Sequence, residues 1–182
     1  EKIARFSSGE LSEPSGCEYL SDRGVLIVVG DKGDICEIDT NGTVSKYRRL
    51  GDYDLEGVCY NPVTRLLYTI VENKSLILEI ETDNFDILRQ LPINWVINNK
   101  NILRSEDEHL EGITFVENAD SPGGGSFIVV NKGNNTEQPS ALIELSFDVE
   151  NTQLISSVKM IVLEILGLTG ITRKAETGAF YV

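Results

Sequence analysis

The residues best suited to chemistry are acids that recur beside glycines. Glu56 precedes Gly57 in Leu55-Glu56-Gly57-Val58-Cys59-Tyr60, and Glu111 precedes Gly112 in Leu110-Glu111-Gly112-Ile113-Thr114-Phe115. Glu13 stands just ahead of a related stretch, Pro14-Ser15-Gly16-Cys17-Glu18-Tyr19. A fourth stretch, Leu168-Thr169-Gly170-Ile171-Thr172, carries threonine in the acid's place. Carboxylates gathered at one place are costly unless a cation neutralises them or some stay protonated. Hard oxygen donors favour Ca²⁺ over softer metals. In the competing reading each acid fixes its own turn by accepting backbone N–H bonds, with glycine supplying a conformation other residues avoid. The residue types alone leave both readings open.

His109, the one histidine in the chain, directly precedes Leu110-Glu111-Gly112 and is the weak candidate for a general base. No Ser or Cys nucleophile sits at a recognisable elbow and no HExxH motif is present, so a surface histidine is the competing reading. Lys32, Lys74 and Lys132 recur in comparable loops, either facing an anionic ligand or as solvated charges.

These residues are positioned by a repeat. The anchoring glycines, Gly16, Gly57, Gly112 and Gly170, are spaced 41, 55 and 58 residues apart. Each leads into a short apolar strand, a turn, and a second strand: Val25 to Val29, Leu66 to Val71, Phe127 to Val130 and Phe180 to Val182. Third strands read Ile35-Cys36-Glu37-Ile38, Leu76 to Ile80 and Ala141 to Leu145, and fourth strands Val44 to Leu50, Phe85 to Ile93 and Leu154 to Ile165. Short strands rich in Ile, Val, Leu and Tyr, bounded by Gly, Asn, Asp and Pro, predict an all-β chain. Four strands per tandem unit predict the antiparallel blades of a β-propeller, six-bladed when complete. The units fall at about 13–50, 54–93, 109–165 and a partial 168–182, about three and a half blades in a single domain. Residues 1–6 resemble an isolated strand that would close a ring. A ring with an open edge at Val182 would be incomplete, so the chain is expected to be part of a longer protein.

In such a ring the acids of the anchor turns face one mouth of the central channel. Glu13, Glu56 and Glu111 would be joined there by Asp31, Glu72 and Asn131 from neighbouring loops, and these six residues form the candidate Ca²⁺ set. Glu37, Glu79 and Glu144 recur on the third strands and read as a blade-to-blade hydrogen-bonding feature. Trp95 is expected to pack the connection from Asn94 to His109 over a blade, and that connection to hold one helical turn. The triplet Gly123-Gly124-Gly125 reads as a flexible hairpin tip.

Composition narrows the partners. The 182 residues carry 29 acidic and 16 basic side chains, a formal net charge of −13. Such a surface repels phosphate backbones and anionic headgroups, which disfavours nucleic acid and membrane-surface roles. No apolar run approaches the ~20 residues of a membrane-spanning helix. Cys17, Cys36 and Cys59 form no CxxC pair and are expected to act as small hydrophobes. No basic stretch followed by an apolar one comes after Glu1, so any export signal is expected to have been removed or never to have existed, and the missing Met favours a processed or trimmed chain.

The segments Leu55-Glu56-Gly57-Val58-Cys59-Tyr60-Asn61-Pro62, Leu66 to Asn73 and Ile77-Leu78-Glu79-Ile80 resemble the SdiA-regulated, phytase-like family of six-bladed propellers. That family sits among the calcium-dependent phosphotriesterase-like and NHL-type propellers. The resemblance runs from about residue 13 to residue 182. It implies an exported bacterial protein, periplasmic or attached to the cell envelope, with a calcium site and no firmly assigned reaction. Ser15 and Thr169 depart from the pattern of Glu56 and Glu111, so a full ring of anchor acids is absent. The leading expectation is a binding propeller with a cation at its mouth. The alternatives are a Ca²⁺-dependent hydrolase of phosphate esters or lactones, with Glu56 and Glu111 holding the metal, and a scaffold that binds protein partners through the blade rims.

Overall fold

The computed structural model describes residues 11, 13–103, 109–134, 139–148, 151, 153, 155–174 and 177–182. The ring-closing strand expected at residues 1–6 lies outside the described residues, as do residues 104–108 of the long connection. The strands fall into three antiparallel meanders of four. The first is β1 (Pro14–Leu20), β2 (Val25–Gly30), β3 (Asp34–Asp39) and β4 (Val44–Arg49). The second is β5 (Leu55–Asn61), β6 (Leu66–Val71), β7 (Leu76–Glu81) and β8 (Ile87–Asn94). Two-residue strands β9 (Val96–Ile97) and β10 (Lys100–Asn101) then pair with each other, where a helical turn was expected. The third meander is β11 (Leu110–Glu117), β12 (Gly125–Asn131), β13 (Ala141–Phe147) and β14 (Ile155–Val162), followed by a small hairpin of β15 (Thr172–Arg173) and β16 (Phe180–Tyr181). Among the described residues the only helical elements are single 3₁₀ turns at Glu72–Lys74 and Pro122–Gly124. The fold is all-β and propeller-like, and no described helix is long and apolar enough to cross a membrane.

Local chemistry sets the turns. The Asp39 carboxylate accepts the N–H groups of Asn41 and Thr43 at 2.9 and 2.7 Å, and Glu81 accepts those of Asp83 and Asn84 at 2.8 and 2.7 Å. Side chains that bond their own turn in this way stop one strand and start the next. The Pro122–Gly124 turn is packed and is not a free tip: Asn61 Nδ2 donates to the Gly123 carbonyl at 2.9 Å, and the Phe147 ring lies against Gly123.

The cores lie between meanders. Ile27, Val29 and Ile35 of the first meet Leu67, Val71, Leu78, Ile80 and Phe85 of the second. Tyr68, Ile70, Ile77 and Leu91 of the second meet Phe127, Val129, Ile143 and Leu145 of the third, with the Tyr68 and Phe127 rings 4.8 Å apart. Burial on both faces explains why β3 and β7 are almost continuously buried. β13 instead alternates between buried and half-exposed residues, because one face of the third meander is less covered. Trp95 joins the second core and its Nε1 donates to Ser75 Oγ at 2.7 Å. Cys36 and Cys59 are buried as expected, but Cys17 is exposed.

Two contacts differ from the sequence expectation. β8 and β14 pair in parallel through Ile93 with Ile155 and Asn94 with Ser156, joining the second and third meanders into one eight-stranded sheet. The acids of the third strands bond within their own meanders rather than between them. Glu79 accepts from Tyr68 Oη at 2.8 Å and from Arg89 Nε at 2.7 Å, Glu37 from Ser45 Oγ at 2.7 Å and Arg23 at 2.9 Å, and Glu144 from Ser126 Oγ at 3.1 Å. Glu79 is nearly inaccessible, and a buried carboxylate is tolerable only when bonded this fully.

The anchoring glycines hold the inner strands together. A Cβ on Gly16 would lie 2.8 Å from Gly57 Cα, one on Gly57 2.9 Å from Gly112 Cα, and one on Gly112 2.9 Å from Gly170 Cα. Each meets backbone, which cannot move aside as a side chain can, so only glycine permits this approach. Gly170 itself has nothing within 4 Å of its Cβ position. Gly57→Ala is therefore expected to destabilise the protein by about 1–3 kcal/mol in chemical denaturation. Gly170→Ala should stay within about 0.5 kcal/mol of the parent. Equal effects of the two substitutions would contradict the glycine contact.

Candidate functional site

Each inner strand is bulged at its anchor, with register shifts at Pro14/Gly16, Leu55/Val58 and Leu110/Gly112. A bulge re-aims the side chain beside it. One backbone bond then recurs in all three meanders: the N–H groups of Asp31, Glu72 and Lys132 donate to the carbonyls of Glu13, Asp54 and His109 at 3.1, 2.9 and 2.8 Å. Three positions per meander are thereby brought together. They are the residue three before the glycine (Glu13, Asp54, His109), the residue one before it (Ser15, Glu56, Glu111), and the residue after the second strand (Asp31, Glu72, Lys132).

The meanders balance charge at this site differently. In the first, the Ser15 hydroxyl donates to Asp31, while Lys32 Nζ lies 2.9 Å from Glu13. In the third, Lys132 Nζ lies 2.7 Å from Glu111 Oε1. The second meander places Glu56 beside Glu72 and adds Asp54, three acids with no base of its own. Glu72 recruits His109 from the next meander, with Nδ1 at 3.5 Å. Among the described residues, no hydrogen bond or ion pair reaches the carboxylates of Asp54 and Glu56. One oxygen each from Asp31, Asp54 and Glu56 lies within 4.8 Å of the others, and all three residues are half-buried. Ca²⁺ binds oxygen at about 2.3–2.6 Å, so ligands across one ion are separated by about that span.

Burial and repulsion act in the same direction here. The Glu56 carboxyl is pushed up to about 8, first by burial and then by the charges of Glu111, Asp31, Glu72 and Asp54. Asp54 is raised by burial and by Asp31. Glu72 is raised by burial, Glu111 and Asp54, an effect opposed by His109. Lys132 is held charged by Glu111, with Glu72 and Glu56 adding to the effect. The cluster can hold a proton or a cation, and the two compete for the same oxygens.

Of the residues expected at a mouth from sequence, Glu13, Asp31, Glu56, Glu72 and Glu111 lie on these recurring positions. Asn131 does not: it is buried as the last residue of β12, opposite Leu110 and Ala141, and the position equivalent to Asp31 and Glu72 is Lys132. Lys32 and Lys132, expected either to face an anionic ligand or to be solvated charges, instead pair with Glu13 and Glu111. Lys74 packs over the Tyr53 ring, 4.4 Å from its centroid. Asp54 was not among the residues expected from sequence, where the acid assigned to the second anchor was Glu56 alone. Its signal was present as the matching spacing of Glu13, Asp54 and His109, each three residues before an anchor.

A carboxyl that folding raises from 4.5 to about 8 stabilises the native state while protonated, and that contribution is lost as pH rises through about 8. In chelator, thermal stability should therefore fall between about pH 5 and pH 9, and Glu56→Gln should flatten the decline and raise the melting temperature only at the alkaline end. An unchanged pH profile in that variant would show that Glu56 is not under strain.

No protein-family model matches the chain, and no curated protein matches it in sequence. Among solved structures it is similar to the hydrazine synthase of Kuenenia stuttgartiensis, with a TM-score of 0.56 and 13% identity. The match covers 97% of this chain and 43% of that one, so the chain spans less than half the length of this structural neighbour. At this identity the likeness is one of fold.

Proposed function

We propose that the chain belongs to a six-bladed binding propeller of the SdiA-regulated, phytase-like kind, exported to the periplasm or cell envelope, whose mouth binds Ca²⁺ through Asp31, Asp54 and Glu56. The observation that carries the metal reading is the unmatched charge of the second meander. Ser15 and Lys132 show how the first and third meanders relieve the same position by a hydroxyl and an ammonium group. Asp54 and Glu56 have neither, and a divalent cation supplies what is missing. Glu72 and Glu111 border the cluster and strengthen its field. The meander repeat and the glycine contacts support the propeller reading, and Gly170 leaves its Cβ side open to a further inner strand.

With calcium bound, the site would hold a ligand through the cation, and anionic groups would gain a bridge that a −13 surface otherwise denies them. His109 sits against Glu72, which favours a charge-balancing role over that of a free general base. The binding reading is therefore preferred to hydrolysis.

Calcium at about a hundredfold excess over its Kd should stabilise the protein by about 2.7 kcal/mol. For a chain of this size that corresponds to about 5–10 °C in melting temperature. The shift should be small near pH 6, grow as pH rises through about 8 as the proton on Glu56 is displaced, and vanish in Glu56→Gln and Asp54→Asn. Absence of a calcium-dependent shift at alkaline pH would refute the metal reading.

A further inference from the structure

The inner strands that aim acids at one mouth line a separate cavity farther along their length. Two residues past each anchoring glycine stand Glu18, Cys59, Thr114 and Thr172, and these border a cavity of about 390 Å³. The next position supplies Tyr19, Tyr60, Phe115 and Arg173 to the same cavity. At about 3.3 Å of rise per residue, Glu18 lies about 10 Å along β1 from Ser15, beyond the acidic mouth.

Glu18 is the one acid at these eight positions. It is half-buried, and among the described residues no hydrogen bond or ion pair reaches its carboxylate. Burial alone pushes its carboxyl up to about 7, with no contribution from the mouth acids. Its neighbours do not compensate it. Ile27 faces it from β2, and the thiol of Cys59 on β5 is fully buried and held protonated, in part by Glu18 itself. Tyr60 is likewise held as the phenol, its hydroxyl 3.5 Å from Asp22. Asp22, Glu117, Arg65 and Arg173 also line the cavity, so three acids face two bases and the lining carries one net negative charge. Of the three acids Glu18 is the one carried on the inner strands two residues past an anchoring glycine, set among aromatic rings and hydroxyls.

We propose that this cavity binds a small organic ammonium ion, with its nitrogen on the Glu18 carboxylate, hydroxyls of Thr114 or Thr172 nearby, and its hydrocarbon part among Tyr19, Tyr60 and Phe115. A single carboxylate and two hydroxyls are too few hard oxygens for calcium. An anion would meet Glu18, and a neutral ligand would leave that carboxylate desolvated and unpaired. An ammonium group pairs the charge, and aromatic rings add attraction for a cation. The site is independent of the calcium reading.

The test is calorimetric titration of the intact chain with n-butylammonium at pH 8, with n-butanol as the uncharged match. Saturable binding in the millimolar range is expected for so small a ligand, with n-butanol weaker by about tenfold or more. Because burial pushes the Glu18 carboxyl up to about 7 while the amine stays charged, affinity should fall about tenfold between pH 8 and pH 6. Glu18→Gln should lose about tenfold or more in affinity while keeping any calcium-dependent thermal shift, and chelator should leave amine binding unchanged. If Glu18→Gln does not melt cooperatively, the pH profile of the unaltered protein decides. No saturable binding, equal binding of n-butanol, a flat pH profile, or full retention of binding in a folded Glu18→Gln would overturn the proposal.

Discussion

Close contact between backbones at the anchoring glycines is the constraint on which the rest of the structure depends. Gly16, Gly57, Gly112 and Gly170 sit in series, and the first three are separated from the next by distances that leave no room for a Cβ. Inner strands held at that distance have no side chain between them at the anchor level. Their functional groups must therefore project above and below it. The position before each glycine and the loop residue bonded beside it lie on one side of that level, while the positions two and three residues past the glycine gather around the second cavity. Both candidate sites follow from one packing event.

That event also explains why acids accumulate without local cause. Within a single meander, Glu56 and Asp54 are ordinary acids at the start of an edge strand, and water would solvate them. The approach of β1 and β11 brings in Asp31 and Glu111 and removes water, so burial and repulsion rise together. The cost belongs to assembly of the meanders. It would be relieved by separating the inner strands, which the glycine contacts and the cores behind them prevent. Proton uptake or a cation is the remaining relief.

Much of this arrangement was legible in the sequence because the repeat is short and its anchor is a glycine. The strands, their order and the nearness of Glu56 to Glu111 follow from an anchor and strand order that recur, although the spacing between anchors varies. What the sequence hid are relations between units. The bond between Lys132 and Glu111 depends on a bulge that swings one residue toward a loop 21 positions away. The place of Asn131 depends on strand registry: a one-residue offset put Lys132 in the loop and left Asn131 paired inside the sheet. The parallel contact of β8 with β14 joins outer strands more than 60 residues apart, which no local periodicity encodes. Cys17 reads as a buried apolar position like Cys36, yet it is exposed because its side of β1 is uncovered.

Comparison of the three meanders at equivalent positions bears on whether the acids of the second are structural. A carboxylate that merely fixes a turn would accept backbone or side-chain donors, as Asp39 and Glu81 do on the outer turns. Glu111 comes close to that behaviour through Lys132, and Ser15 performs it without a charge. Glu56 and Asp54 accept no such bond among the described residues, although the same backbone geometry places them as it places Ser15 and Glu13. The fold has alternatives at this position that lower its energy, and the second meander uses none of them. Local conflict with an otherwise consistent pattern is where a sequence departs from what stability alone would select. Glu18 shows the same conflict at the other cavity, where Cys59, Thr114 and Thr172 hold the equivalent places without charge. The two sites are thus marked by one criterion: an ionisable group held where its structural counterparts are neutral or paired.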